Sequence, residues 1–280
     1  MQGLEMLIGN PTFAFIQLLN SISMGMNYFI IAAGLSLIFG VLRVINFAHG
    51  AFFMFGAYTA YTVGQEWGLG FWPAVIAAGL FLAAISVFLE RSLFQFLYDK
   101  EHLMQLLLTF AIVLIMGDVA KVLWGTDQYS VSYPEGLDGA WNVGLTYYPS
   151  YRLVLRLLGP LILLVLWYFT ERTRWGRLTK AATQDREMLS ALGINVPIIY
   201  TSVFLVGSAL AGIGGALAAP TNSPVPGMDV GSFLGALIFG LVYNFGSVIF
   251  PNGQDVFAYL LLLVVLLIRP WGLFGKPEAE

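Results

Sequence analysis

Three stretches of this chain, residues 6–42, 188–228 and 230–254, contain no Asp, Glu, Lys or Arg. Each exceeds the roughly 20 residues that an α-helix needs to cross a bilayer. A water-soluble surface cannot be assembled from such runs. Only 10% of the residues are charged and 58% are hydrophobic, against roughly 25% charged in an ordinary soluble domain. A lipid-facing surface suits this composition, because hydrocarbon favours apolar side chains and penalises charge. The 31 glycines fit close helix packing inside a membrane.

Reading the apolar runs as helices predicts about eight spans, near residues 13–42, 47–63, 71–94, 103–123, 153–169, 198–219, 233–250 and 257–268. The expected fold is therefore an all-α, polytopic transmembrane protein occupying residues 1–280 as a single domain. The first residues carry Glu5 and no Lys or Arg before Pro11, unlike the basic start of a signal peptide. The first span is expected to remain in the mature protein.

Basic residues set the orientation. Arg172, Arg174, Arg177, Lys180 and Arg186 lie between the fifth and sixth spans, which places that connection in the cytoplasm by the positive-inside rule. The connection near 124–151 has no Lys or Arg and carries Asp127, Glu135 and Asp138, so it is expected to face outward. Its rings, Trp124, Tyr129, Tyr133, Trp141, Tyr147, Tyr148 and Tyr151, favour the membrane interface. Arg43, Arg91 and Lys100 mark two further cytoplasmic connections and put the N-terminus outside. Eight crossings then leave Arg269 and Lys276 outside, against the rule. An odd number of crossings after Ile198 would remove the conflict.

Several functional classes are excluded. The net charge is −3 and the 13 basic residues sit at span boundaries rather than in a stripe, so no nucleic-acid partner is expected. Cysteine is absent, which removes disulfides, thiol nucleophiles and thiolate metal sites. With two histidines, His49 and His102, and no paired His/Glu spacing, no metal or catalytic site is expected. No Gly-x-x-x-x-Gly-Lys-Ser/Thr phosphate loop occurs, so the chain does not bind ATP through such a loop.

Polar Asn46 and His49 stand beside Gly50 between the first two spans. Against lipid they would be costly, so they are expected to face protein, water or a permeant solute. Capping a helix end or bonding backbone at a helix break is the alternative. Between the fifth and sixth spans a polar stretch runs into Met188, Leu189, Leu192 and Gly193. This reads as a short amphipathic helix with a glycine C-cap. Gly207, Gly212 and Gly215 let another helix approach closely, with exposed pore-lining backbone as the alternative. Asp118 and Lys121 are spaced to pair on one helix face.

Residues 40–50 (GVLRVINFAHG) resemble the hallmark of the branched-chain amino acid type permeases of bacterial ABC importers, in the H-type version rather than that of the sister permease. Residues 102–110 (HLMQLLLTF), 148–153 (YPSYRL), 176–196 (GRLTKAATQDREMLSALGINV) and 269–275 (RPWGLFG) extend the resemblance along nearly the whole chain.

The resemblance implies a permease subunit with no cofactor that translocates branched-chain amino acids, urea, amides or related small polar solutes by alternating access, in the bacterial inner membrane. It implies a sister permease as hetero-dimer partner, two cytoplasmic ATP-binding subunits, an external solute-binding protein and membrane lipid around the spans. Residues 172–196 are similar to the segment that couples to the ATPase, with Ala182, Gln184, Asp185, Glu187, Leu192 and Gly193 as its working residues. Asn46, His49 and Gly50 are the expected substrate-pathway residues. Relatives continue after residues 220–230 (PTNSPVPGMDV) with a further apolar span, whereas here Val230 is followed by Gly231. One span is therefore expected to be missing at the place where the orientation count fails. A secondary transporter or channel for a small polar solute is the rival reading.

Overall fold

The structure, a computed structural model, describes residues 11–228 apart from Ile45, Asp99 and Leu145. The two predicted spans beyond residue 230 lie outside the described residues. Within them the chain is helical: α1 (Pro11–Leu42), α2 (Ala48–Tyr61), α3 (Phe71–Ser92), α4 (His102–Trp124), α5 (Ser150–Arg172), α6 (Arg174–Gln184), α7 (Arg186–Ala191) and α8 (Val196–Ala218). Helices α3, α4, α5 and α8 are 22 or 23 residues long. At 1.5 Å per residue this is about 33–35 Å, enough for a hydrocarbon core of about 30 Å.

Five helices among the described residues are long and apolar enough to cross a membrane. The first six predicted spans thus correspond to five full-length helices and one shorter element. That element is α2, whose 14 residues extend for only about 21 Å. A π-helical turn, Thr62–Glu66, carries it on to the bundle end. The helical expectation holds among the described residues, with one short antiparallel hairpin in the 124–151 connection, β1 (Ala140–Asn142) with β2 (Tyr147–Pro149).

Helix α8 is the centre of the bundle. Of its apolar window 61% is buried, against 22% for α4 and 11% for α5. The difference follows from side-chain size. A Cβ on Gly212 would stand 2.8 Å from the Ala78 carbonyl oxygen, and one on Gly56 2.2 Å from that of Gly212, so α2 and α3 both touch α8 at backbone distance. The predicted close approach is therefore real, and the small residues serve packing. Outward-facing Leu107, Leu114, Ile115 and Val122 of α4 and Leu157, Leu161 and Leu164 of α5 are exposed, as lipid requires.

The 124–151 connection is folded onto the bundle. Tyr129 N–H donates to the Pro224 carbonyl (3.0 Å), Trp124 Nε1 to Thr62 Oγ1 (2.8 Å), and Tyr151 Oη to the Leu217 carbonyl (2.6 Å). Tyr148 and Tyr151 are buried while Trp141 and Tyr147 remain exposed. The aromatic residues thus divide between core and surface.

Candidate functional site

The stretch between α5 and α8 is two helices rather than one. Along α6 the inward residues Gly176, Thr179 and Ala182 alternate at helical spacing with exposed Arg174, Arg177, Lys180 and Gln184. Thr173 caps its start by accepting from Gly176 N–H (3.3 Å). The break at Asp185 has a local cause. Its backbone is extended, and its carboxylate accepts from Met188 N–H (2.8 Å), starting α7.

Helix α7 ends as the glycine predicted. Gly193 has φ 78°, with Gly193 N–H bonded to the Ser190 carbonyl (2.9 Å) and Ile194 N–H to that of Leu189 (3.2 Å). This pair of bonds is a Schellman C-cap. A side chain in the left-handed region is strained by about 1–2 kcal/mol. Gly193→Ala is accordingly expected to lower the unfolding midpoint by about 2–4 °C, measured by thermal scanning in detergent.

Three ties hold this segment to the bundle. Arg43, at the end of α1, donates from Nη2 to the Thr183 carbonyl (3.4 Å). Trp175 Nε1 donates to Ser202 Oγ on α8 (2.7 Å), and Lys180 pairs with Glu171 at the end of α5. Of the expected coupling residues, Ala182 faces the core, whereas Gln184, Asp185, Glu187, Leu192 and Gly193 are exposed. Leu189 turns inward, but Met188 and Leu192 are 59% and 70% exposed. The segment therefore presents basic, acidic and apolar groups to solvent on a base pinned to α1, α5 and α8.

Beside α7 lies a cleft of about 540 Å³ lined by Gln95, Phe96, Tyr98, Arg186, Glu187 and Tyr200, among others. Bonded to Tyr98 of its wall is a residue that the sequence did not single out. Glu90, near the end of α3, is buried, and its carboxylate accepts from Tyr98 Oη and from Thr201 Oγ1, each at 2.7 Å. No basic group forms an ion pair with it among the described residues. Burial and the adjoining carboxylate raise the Tyr98 phenol well above its ordinary value, so it remains a donor. The available signal was a lone acid inside the apolar run 71–94.

Asn46, His49 and Gly50 come together at the start of α2, all three buried. His49 Nε2 donates to the Ile31 carbonyl of α1 (2.9 Å), leaving Nδ1 as an acceptor. That atom and both polar side-chain atoms of Asn46 meet no hydrogen-bond partner among the described residues. A Cβ on Gly34 would stand 3.1 Å from His49 Cε1. Ile31 and Gly34 lie near the middle of the apolar run Gly25–Leu42, so the chain turns back after Leu42 and α2 begins at mid-depth. Non-helical backbone at that depth persists only where protein or a polar cavity encloses it. His49 bonds mid-helix backbone rather than capping a helix end.

Asp118 and Lys121 pair as the spacing predicted (3.0 Å), with both side chains more than half exposed. They are a surface pair.

The sequence profile of the family described as branched-chain amino acid transport system, permease component, matches residues 17–230. This chain belongs to that family. The high-affinity branched-chain amino acid transport system permease protein LivH of Escherichia coli (strain K12) is 27% identical over 94% of this chain and 96% of its own length. BraD of Pseudomonas aeruginosa, described in the same words, is 29% identical over the same shares. LivM of E. coli is 27% identical over 69% of this chain but only half of its own length, which agrees with an H-type assignment. No solved structure matches the chain at a significant level.

The chain is a multi-pass transport permease, and its relatives are permeases rather than enzymes. The LivH alignment runs over 299 positions, more than the 280 residues of this family member. Part of the relative therefore has no counterpart here, and the profile match ends at residue 230, where the missing span is expected.

Proposed function

We propose that this permease is one of two membrane subunits of an ATP-driven importer in the bacterial inner membrane, carrying branched-chain amino acids or related small polar solutes. The sister permease, two cytoplasmic ATP-binding subunits and an external solute-binding protein complete the assembly. The observation that carries the reading is α6–α7, an exposed projection of mixed basic, acidic and apolar side chains whose base is tied to α1, α5 and α8. A pull on Gln184, Asp185, Glu187 and Leu192 reaches three spans directly, the mechanical requirement for ATP-driven alternating access.

The orientation that suits this reading has the N-terminus outside, α6–α7 in the cytoplasm and the 124–151 connection outside. Asn46, His49 and Gly50 form the candidate pathway segment. They are sealed in this conformation, but a buried polar atom without a partner costs about 1–3 kcal/mol. A conformation that opens the α1–α2–α8 junction to water or solute relieves that cost.

The test is co-purification of the tagged permease with its ATPase subunits from mild detergent. Glu187→Ala/Leu192→Ala removes exposed side chains that make no capping hydrogen bond and is expected to weaken retention of ATPase activity about tenfold or more, the size of an interface hot spot. Asp185→Asn keeps the α7 cap and separates charge from folding. A permease that purifies alone and carries solute in liposomes without ATP would be a secondary transporter, and the importer reading would be wrong.

A further inference from the structure

We infer that the seam between α1 and α5 binds the phosphate headgroup of an anionic membrane lipid, at the bundle end opposite α6–α7. Arg152 and Arg156 lie one turn apart on α5, both half-buried. Every acceptor they meet is neutral. Arg152 Nη1 donates to Asn20 Oδ1 (2.7 Å). Arg156 Nε donates to Ser23 Oγ (2.9 Å) and Nη2 to the Leu19 carbonyl (2.6 Å). The Arg156 guanidinium also stacks 4.5 Å from the centre of the Tyr148 ring, whose hydroxyl donates to the same Asn20 Oδ1 (2.6 Å).

Among the described residues no carboxylate pairs with either arginine, the ion pairs there being Lys121–Asp118 and Lys180–Glu171. Two like charges one turn apart repel, the more so where the dielectric is low. Such intramembrane charges are costly unless paired or in reach of the headgroups. Each guanidinium has five N–H donors, so the three bonds above leave most of them open. Planar guanidinium forks match phosphate oxygens two at a time.

The surroundings favour a diacyl lipid over a free anion. Arg156 is six residues into α5, about 9 Å from its start, a depth from which a long side chain reaches the headgroup layer. Exposed Trp141 and Tyr147 stand on the adjoining hairpin, as aromatic residues do at a membrane interface. Leu157, Leu161 and Leu164 continue down α5 as an exposed apolar track that suits an acyl chain. The contacts of the two arginines lie within α1, α5 and the adjoining hairpin and do not rest on the importer reading.

The experiment is thermal unfolding of the delipidated, purified permease, with any co-purifying subunits, after adding phosphatidylglycerol, phosphatidylcholine or inorganic phosphate. Phosphatidylglycerol at about a hundredfold excess over its dissociation constant is expected to raise the midpoint by about 5 °C or more above phosphatidylcholine. Arg152→Gln/Arg156→Gln should lose that difference, and Arg152→Lys/Arg156→Lys should keep part of it. Equal shifts from the two lipids on the wild-type protein overturn the proposal, even if the glutamine variant does not fold. An equal shift from inorganic phosphate overturns it in favour of a soluble-anion site, and a full shift in a folded glutamine variant places the lipid elsewhere.

Discussion

Gly215→Leu is expected to leave almost no monodisperse protein. A Cβ at this position would stand 1.9 Å from the Phe53 carbonyl oxygen and 3.0 Å from the Ala57 backbone nitrogen. Both neighbours are backbone atoms of α2, so no rotamer change relieves the clash and the two helices must separate. Van der Waals contact is the main force between helices in lipid, where no hydrophobic effect drives them together. Overpacking a core costs about 1–3 kcal/mol when side chains can adjust, and backbone displacement raises that figure. Gly40→Leu is the matched control, because nothing lies within 4 Å of a Cβ there. Size-exclusion chromatography of solubilised membranes should show a sharp peak for Gly40→Leu and aggregate or nothing for Gly215→Leu. Equal peaks would mean that α2 and α8 do not meet at backbone distance.

The second large effect is expected at Glu90, where alanine and glutamine should behave oppositely. Glu90→Ala removes the acceptor for the buried Tyr98 hydroxyl and leaves a void at the α3–α8 contact. Thr201 has a second acceptor in the Pro197 carbonyl (3.0 Å), so the main loss is at Tyr98. A stranded buried hydroxyl costs about 1–3 kcal/mol, and the void adds to it. Glutamine can still accept from Tyr98 while its amide donates to Thr201 Oγ1, and it brings no unpaired charge into the bundle. Its expected stability equals or exceeds that of the wild type. Thermal scanning of the two variants decides the point. A Glu90→Gln protein as unstable as Glu90→Ala would show that the negative charge itself is required, and a cation would then have to be sought nearby.

The α6–α7 segment was legible in part. Gly193 and the polar-to-apolar transition announced a capped amphipathic helix, because capping is chemistry among neighbours in the chain. The break at Asp185 was not foreseen, although aspartate is a common N-cap. A run that is helical on both sides hides a one-residue interruption. Asn46 and His49 stood out as polar residues beside an uncharged span, yet their burial against α1 at mid-depth did not. The predicted second span was a shorter helix because hydropathy registers apolar length, not where the chain re-enters the bundle.

The sequence by itself determined that the chain lives in a membrane, where its long helices run, which end of the bundle collects positive charge and which helix could be approached closely. All of these depend on composition over a window or on local spacing. Only the tertiary structure decided that α8 is the hub, that α2 begins halfway through the bundle, that Glu90 on α3 is held by Thr201 on α8, and that Arg152 and Arg156 on α5 converge on Asn20 and Ser23 of α1. Those pairings depend on the rotation and depth of each helix, which the fit of side-chain volumes across several helices fixes together and no single stretch of sequence records.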